Sequence, residues 1–506
     1  MPRRFHALRL GAACALVCSQ ILASAARGDT FYVTSTSWGS ATMANTLAWA
    51  IDQSNNPLTS GNVISIAPNL LIDVDNATPI DDSLDLAAFT RSVTIQGNNA
   101  TLVGNPTFVT TGGTTVTKNN PQAFERTDTT VTPSYSFAKI GVFGQDNSGI
   151  SVTMTGLNAD GLNRFALLEK GATLAYTAGS IVNSVNFLGS APGITPGFEV
   201  LKGTLKLDHV VISRAYGFNA TAGGLISGGD SRIDISNSTV SGADSGPVLV
   251  LAGGTANVVS SVFNGSGGVQ ATGGDAIAGG TVNFVNSVAF LAGPLNGNAN
   301  DSFVDNKFLA GDGGTINLTA STVIADLVSL QGATAEADGV PLDAAGGEIA
   351  LASSAVLVTK DADGFNTQVA YRESDGGNLI ADAMSWVRPT QAQSAADLES
   401  LFNQPGLLTG PLGLPVTEIA SSPLIEMTPP MPEASYPYAG GTLIGVVLDA
   451  DGANRLLNPI DGSTITTDVY GYARTTAGLR NVVPWRCCRR PFPRSISDRS
   501  AEACRS

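Results

Sequence analysis

Six stretches of the chain share one residue pattern, and this repeat constrains the fold more than any other feature. Each begins with a small or charged residue, usually preceded by Gly-Gly, and continues apolar, polar, apolar. They read TLKLDHVVI from Thr204, RIDISNSTV from Arg232, TANVVSSVF from Thr255, TVNFVNSVA from Thr281, TINLTASTV from Thr315 and EIALASSAV from Glu348. Similarity recurring every 23 to 34 residues is typical of a solenoid, and apolar residues at alternate positions predict strands.

The repeat also predicts which side chains stack on one another. Residues at the fourth position should form one buried column with about 4.8 Å between neighbours: Leu207, Ile235, Val258, Phe284, Leu318 and Leu351. Residues at the third position should point outward and form a polar ridge: Lys206, Asp234, Asn257, Asn283 and Asn317. Such a ridge is either a structural ladder of hydrogen-bonded amides or a surface that grips a glycan or another partner.

Residues 1–28 have the pattern of a cleaved secretory signal peptide. Three arginines are followed by a mostly apolar run from Leu10 to Leu22 and by Ala23-Ser24-Ala25, a small-x-small cleavage motif. We therefore expect an exported protein that is extracellular or on the cell surface. Cysteines occur only at positions 14, 18, 487, 488 and 504, so no disulfide can stabilise the body, and the core must do so.

Charge is distributed unevenly along the chain. Residues 29–485 keep 17 of the 27 basic and 40 of the 42 acidic residues, a net charge of −23. This body should repel nucleic acid and anionic membranes. The acidity favours either plain solubility outside the cell or a cationic partner. We find no apolar stretch after residue 28 long enough for a transmembrane segment and expect a monomer.

We divide the rest of the chain into four parts. Residues 29–139 form an N-terminal cap module with the first coils, in which Asn45 is expected to cap a short helix over TLAWAIDQSN. Within this part, 110–133 is predicted to be a surface loop. The coils proper occupy 140–360, a closing segment occupies 361–485, and a basic tail occupies 486–506.

Together these motifs resemble a known class. GGT-apolar-x-apolar coils behind a signal peptide look like the right-handed parallel β-helix of pectin-lyase-like proteins. TFYVTST…NTLAWAIDQSNN…VISI resembles the Ser-Leu-Arg-Glu-Ala-type (CSLREA) module of bacterial exported β-helix proteins, although Thr46-Leu47-Ala48-Trp49-Ala50 stands in place of its core. ESLFNQPG…ASSPLIE…TTDVYGYARTTAGLRN resembles their choice-of-anchor closing segment. The resemblance implies an all-β solenoid with a short capping helix, export and surface association.

The tail departs from that class after Asn481. The related segment continues Gly-Ala-aliphatic-Glu, whereas this chain reads VVPWRCCRR. One choice of codons for Val-Val-Pro-Trp-Arg encodes Gly-Ala-Val-Glu in another frame. We hypothesise that 486–506 is a frameshift product that replaced a sorting segment; a genuine basic tail is the alternative, and resequencing the locus distinguishes the two.

Residues that could do chemistry are sparse. The body has one histidine, His209, beside Asp208, which we interpret as a strand surface residue rather than a base. The signatures of polygalacturonases, pectate lyases, Ser/His/Asp enzymes, zinc sites and phosphate loops do not occur. The densest ionisable patch of the six repeats consists of Lys206, Asp208, Arg232 and Asp234, with Glu348 about five coils away.

Three acidic turns are the one hint of a metal. They read NADGLN from Asn158, DADGFN from Asp361 and DADGAN from Asp449. Their oxygen ligands could bind calcium, with Asp361, Asp363, Asp449 and Asp451 as first candidates, but Asp-Gly and Asn-Gly are also ordinary turn formers. We predict no catalytic, cofactor-binding or metal-binding residue and no cofactor.

The sequence thus favours an exported, non-catalytic β-helix with a structural, adhesive or interaction role. An extracellular glycan or another cell-surface component is the expected partner. The alternative is a polysaccharide lyase or glycoside hydrolase of the pectin-lyase-like class, which requires acid and base groups that converge on one bond.

Overall fold

The structure is a computed structural model. It describes residues 28–80, 84–105, 107–109, 115–117, 129–132, 135–182, 185–186, 197–213, 216–217, 226–241, 248–264, 269–272, 279–291, 307–311, 314–325, 327–331, 348–352, 355–358, 371–375, 379–382, 444–445, 458–466 and 480–481.

Parallel strands stack coil upon coil in three columns, which we call faces A, B and C. Face A contains Asp85–Phe89, Ser136–Ile140, Ala166–Leu168, Phe198–Leu201, Val269–Thr272, Lys307–Gly311 and Leu327–Gln331. Face B contains Thr30–Val33, Asn62–Ile66, Thr173–Thr177, Thr204–Asp208, Thr281–Val285, Thr315–Thr319, Glu348–Ala352 and Tyr371–Asp375.

Face C completes each coil, and four long strands belong to two faces at once. Face C contains Leu71–Asp73, Ser180–Val182, Val211–Ser213, Thr239–Ser241, Val262–Asn264, Val288–Leu291, Thr322–Ala325, Ala355–Val358 and Leu379–Asp382. Val93–Val103 and Ser151–Asp160 run from face B into face C, and Ile226–Ser236 and Leu249–Val259 run from face A into face B. This is the expected all-β parallel β-helix.

In seven of the described coils, a non-glycine residue in the left-handed conformation lies where the chain turns from face B to face C. The φ angles of these residues lie between 48° and 53°: Asn98, Ala178, His209, Asn237, Ser260, Asn286 and Ala320. Asparagine tolerates this conformation well, whereas Ala, Ser and His adopt it at some cost. The corner therefore recurs at the sixth repeat position even where the residue type does not favour it, because the strands on both sides fix it.

The predicted buried column is confirmed along the central coils. Backbone pairing aligns Leu207 with Ile235, then Val258, Phe284, Leu318 and Leu351 in succession. The first five side chains are at most 1% exposed. The side chain of Leu351 lies outside the described residues.

A short helix, Leu47–Ser54, lies near the first coil as expected, but its cap differs from the prediction. The N-cap is Thr46, whose hydroxyl accepts a hydrogen bond from the backbone N–H of Trp49, and Asn45 precedes it with φ 64°. Leu47, Ala50 and Ile51 are buried. The prediction for Asn45 was wrong because its backbone is left-handed, whereas an N-cap residue is typically extended. The hydroxyl of the next residue, Thr46, caps the helix instead.

Two further features differ from or extend the sequence prediction. The expected surface loop over 110–133 contains strands, because Thr107–Val109 pairs antiparallel with both Thr115–Thr117 and Thr129–Thr132. At the other end, parallel pairing continues to Leu379–Asp382, beyond the last recognisable repeat. Two small pairings complete the description: Val185–Asn186 with Tyr216–Gly217, and Ile444–Gly445 with Arg480–Asn481. Within the described residues, no helix is long and apolar enough to cross a membrane.

Candidate functional site

The polar ridge on face B is a ladder of side-chain hydrogen bonds between coils. Asn317 Nδ2 donates to Asn283 Oδ1 at 2.8 Å, and Asn283 Nδ2 donates to Asn257 Oδ1 at 2.9 Å. Asn257 Nδ2 then donates to the carboxylate of Asp234 at 2.8 Å. The amide dipoles therefore all point the same way and end on a negative charge, an arrangement in which each bond polarises the next.

A second ladder of serines runs inside the corner between faces B and C. Ser238, Ser261, Ser287 and Ser321 are all buried. Each hydroxyl accepts a hydrogen bond from the backbone N–H of the preceding coil at 3.1 Å, with Val210 N–H as the donor to Ser238. These serines occupy the seventh repeat position, which explains their recurrence, because a buried N–H without an acceptor is costly.

The ionisable patch predicted from the repeat does assemble on adjacent coils. Lys206 is paired in register with Asp234, and Thr204 with Arg232. Arg232 Nε donates to Asp234 Oδ2 at 2.8 Å, and this contact raises the pKa of the guanidinium further. Asp234 thus lies between Arg232 and the amide ladder, and its two oxygens accept from one group each.

Asp208 is the last residue of Thr204–Asp208 and His209 follows it, and both side chains lie at the surface. His209 Nδ1 is 3.0 Å from Asp208 Oδ2, and Ser236 Oγ and Asn237 Nδ2 donate to the other carboxylate oxygen at 2.8 and 2.9 Å. Partial burial opposes ionisation, but the hydrogen bonds from Asn237, His209 and Ser236 outweigh it and lower the pKa of Asp208. His209 is the left-handed corner residue, so its expected position within a strand was wrong, whereas its exposure was correctly predicted.

Other predicted residues fall outside this patch. Glu348 is paired with Thr315, five steps along face B from Thr204. In the first acidic turn, Asn158 Oδ1 accepts hydrogen bonds from the backbone N–H and the hydroxyl of Ser180, and Asn158 Nδ2 donates one to Asn99 Oδ1. This side chain therefore stabilises the corner between faces B and C. Asp361, Asp363, Asp449 and Asp451 lie outside the described residues, and within those residues no group of three His, Cys, Asp or Glu side chains could hold a metal.

A buried ionic cluster in the first coils was not found from the sequence. Arg164 donates two hydrogen bonds to Asp85 at 2.8 and 2.9 Å and one to Glu199 at 2.8 Å. The side chains of Arg164 and Asp85 are 6% and 0% exposed, and that of Glu199 is 30% exposed. Asp85 begins Asp85–Phe89, Arg164 lies two residues before Ala166–Leu168, and Glu199 lies in Phe198–Leu201. These are strands of face A, and Ser136–Ile140 lies between the first two, so the arginine links coils that are not adjacent.

The sequence contained a weak signal for this cluster. Arg164 lies in LNRFALLE, where apolar residues surround a single cation, and Asp85 begins the apolar strand DLAAF. A charge in such a context is expected to be paired when buried. Nothing in the sequence, however, indicates that these two residues, 79 positions apart, meet.

Comparison with known proteins shows no family for this chain. No protein-family profile matches the chain, and no curated protein is similar to it in sequence. A crystal structure of the pectate lyase Pel9A is similar at 13% identity and a TM-score of 0.25, over 73% of this chain and 82% of that one. A likeness with so low a TM-score carries no argument about the fold or the reaction.

Proposed function

We propose that this protein is an exported, non-catalytic parallel β-helix of the cell surface or the secreted fraction, with a structural, adhesive or interaction role. The observation that carries the proposal is the amide ladder of face B. Asn317, Asn283 and Asn257 direct their hydrogen bonds to neighbouring coils and end on Asp234, which also binds Arg232. Polar side chains used in this way build a stiff surface instead of an acid and a base poised over a bond.

Export is the second part of the proposal, and it rests on residues 1–28. The chain should be cleaved at the small residues near Ala25 and should leave the cytoplasm. The test is to express the full chain in a bacterium that exports proteins, separate the cell fractions and determine the N-terminus by mass spectrometry. An intact Met1 on protein recovered only from the cytoplasm would contradict export.

The absence of turnover is tested on the exported protein. It is incubated with uronate polymers and with neutral glucans and galactans, and the absorbance of unsaturated products and the appearance of new reducing ends are followed. We expect neither signal. A signal that is lost in Asp208→Asn or Asp234→Asn would instead establish the lyase or hydrolase alternative and locate its site on face B.

A further inference from the structure

The N-terminal end of the coil stack covers the sheet edges of faces A and C with parts of its own chain. On face A, the side chain of Asn55 takes the place of a strand, because it donates to Ala88 O at 2.8 Å and accepts from Thr90 N–H at 2.9 Å. On face C, Ser37 forms a parallel bridge with Asp73, the last residue of the first strand there. An uncovered edge is a template for pairing with another chain, so natural proteins usually block it.

The edge of face B is the exception at this end. Its first strand, Thr30–Val33, pairs on one side with Asn62–Ile66, and the carbonyl of Asp29 accepts a hydrogen bond from that second strand at 2.8 Å. Successive peptide groups of a strand point in opposite directions, so the N–H and C=O groups of Thr30 and Tyr32 point away from the second strand. Among the described residues these groups have no hydrogen-bond partner, and both residues are exposed.

The open edge is short and uncharged. Thr34, the next residue that points away from the second strand, donates its N–H to Asn45 O at 3.0 Å, so the cap loop covers the edge from there on. Phe31, between the two open residues, packs edge-on against Trp49 with ring centroids 5.8 Å apart and stays only partly buried. Residues 30–51 contain no charged side chain, and a charge or a proline is the usual device that keeps an edge unpaired.

We propose that this edge pairs antiparallel with the same edge of a second copy, about a two-fold axis at Phe31. In this register Thr30 lies opposite Tyr32 of the second copy and Tyr32 opposite its Thr30, so all the open N–H and C=O groups are bonded. An aromatic side chain then faces a β-branched one, which is a favourable cross-strand pair. The two Phe31 side chains meet at the axis and lose part of their exposed apolar surface.

A second copy is the partner that the observations favour, because a two-fold contact requires a patch that is complementary to itself. In this register Asp29 lies opposite Val33 of the second copy, so no acid faces another acid along the paired strands. Exposed large apolar side chains also gather in the first coils: of the nine in the described residues, five lie in 28–80, namely Tyr32, Met43, Leu58, Leu71 and Ile80. Exposed apolar side chains that gather in one region mark contact surfaces.

Charge sets a condition on this contact. Residues 28–80 contain four aspartates, Asp29, Asp52, Asp73 and Asp75, and no lysine, arginine or histidine. Two such ends repel each other at long range, and salt screens this repulsion. The dimer should therefore be weak at low salt and strengthen as salt is added. It replaces the monomer expected from the sequence, and it depends neither on export nor on the absence of turnover.

The test is analytical ultracentrifugation of the full protein over a range of concentrations, at low and at high salt. Tyr32→Pro removes the open N–H of this edge strand and no hydrogen bond within the described chain. Tyr32→Ala keeps the N–H and removes the ring. Gln96→Ala is the matched control, because Gln96 is exposed in the same outward column of face B, two strands further along. Circular dichroism checks that the variants fold.

We expect the native protein to dimerise as its concentration rises, and more strongly at high salt. Tyr32→Pro should weaken dimerisation about tenfold or more, because it deletes half of the hydrogen bonds between the copies. Tyr32→Ala should weaken it less, and Gln96→Ala should behave like the native protein.

Amide hydrogen exchange of the native protein tests the edge without any variant. The N–H groups of Thr30 and Tyr32 should exchange more slowly at high than at low protein concentration, and this measurement decides if Tyr32→Pro does not fold. A dimer that is as strong in Tyr32→Pro as in the native protein, or exchange at these two groups that does not depend on concentration, would overturn the proposal. So would a monomer at every concentration, since another protein's strand, or none, would then use this edge.

Discussion

The first coils and the central coils share one backbone architecture, but they pack their interiors and pair their buried polar groups in different ways. In the first coils, large aromatic rings pack against one another. The ring centroid of Phe165 lies 5.4 Å from that of Phe137, 4.8 Å from that of Tyr176 and 5.5 Å from that of Phe198. Arg164, the residue before Phe165, is buried and forms ion pairs with both Asp85 and Glu199. In the central coils, the interior is mainly aliphatic, and polar groups are satisfied by the amide and serine ladders.

This difference shows what a repeat can and cannot encode. A ladder works only if every coil supplies the same group at the same position, so its pattern is written into the sequence. The cluster around Arg164 is not repeated among the described coils, and it joins residues 79 and 35 positions apart. In a solenoid each coil is stabilised mainly by its neighbours. The loss of stability caused by a mutation in the cluster or in a ladder should therefore remain local.

The largest expected effect comes from removing the arginine of the first coils. Arg164→Ala leaves the buried carboxylate of Asp85 without its charge partner, which typically costs about 3–5 kcal/mol in the free energy of unfolding. Guanidinium unfolding measures the loss, and amide hydrogen exchange locates it. We expect exchange to increase in 84–201 and to change little in 255–321.

The matched control is the double variant Asp85→Leu with Arg164→Met. Replacing a buried ion pair by apolar residues of similar size is often neutral. If the double variant is as unstable as Arg164→Ala, the cluster does not act as a charge pair, and the contrast between the two regions loses its basis.

A comparable loss is expected in the central coils from the buried column. Phe284→Ala removes a fully buried ring that contacts Phe263 at 5.4 Å, and such changes cost about 3–5 kcal/mol. Here the increase in hydrogen exchange should centre on Leu249–Val259, Thr281–Val285 and Thr315–Thr319. A uniform increase along the whole chain would show that the coils unfold as one unit and that the two regions are not independent.

A smaller loss is expected from one step of the serine ladder. Ser287→Ala leaves the buried N–H of Ser261 without its acceptor, which costs about 1–3 kcal/mol. Ser260→Ala, at the neighbouring corner position, is the control, because Ser260 is less buried and its hydroxyl accepts a hydrogen bond from the side chain of Asn286 and not from a buried backbone N–H of the described residues. Thermal unfolding compares the two variants, and equal stability would mean that the ladder contributes no more than an exposed side-chain contact.

The sequence predicted the central coils almost completely, because periodicity defines both the strand and the face it buries. It placed Leu207, Ile235, Val258, Phe284 and Leu318 in one column, and Asn257, Asn283 and Asn317 in one ridge, as the structure has them. The choice between a structural ladder and a gripping surface was left open, because one amide can do either, and only the distances between neighbouring coils show that the amides bind each other.

The features that the sequence missed depend on contacts that occur once. Arg164 meets Asp85 across one intervening strand of face A, and Asn147 holds the turn that follows Ser136–Ile140 through hydrogen bonds to the backbone of three other residues. Neither arrangement leaves a periodic trace. The helix cap was misplaced by one residue for a related reason, since Asn45 and Thr46 are both capping residue types and the backbone angle of Asn45 decides between them.

The smallest expected effect is the pH dependence contributed by Asp208. Its pKa is lowered in the folded protein, so its contribution to stability is present above the unfolded value of about 4 and is lost as the pH falls through the folded pKa. The side chain is 41% exposed, so solvent screening keeps the contribution below about 1 kcal/mol. Asp208→Asn should therefore leave stability at pH 7 slightly lower and flatten its decline as the pH falls below about 4. Unfolding midpoints measured across that range decide the matter: a decline as steep in the variant as in the native chain would mean that the hydrogen bonds from Ser236 and Asn237 do not depend on the charge of Asp208, and that this corner is held by the repeat alone.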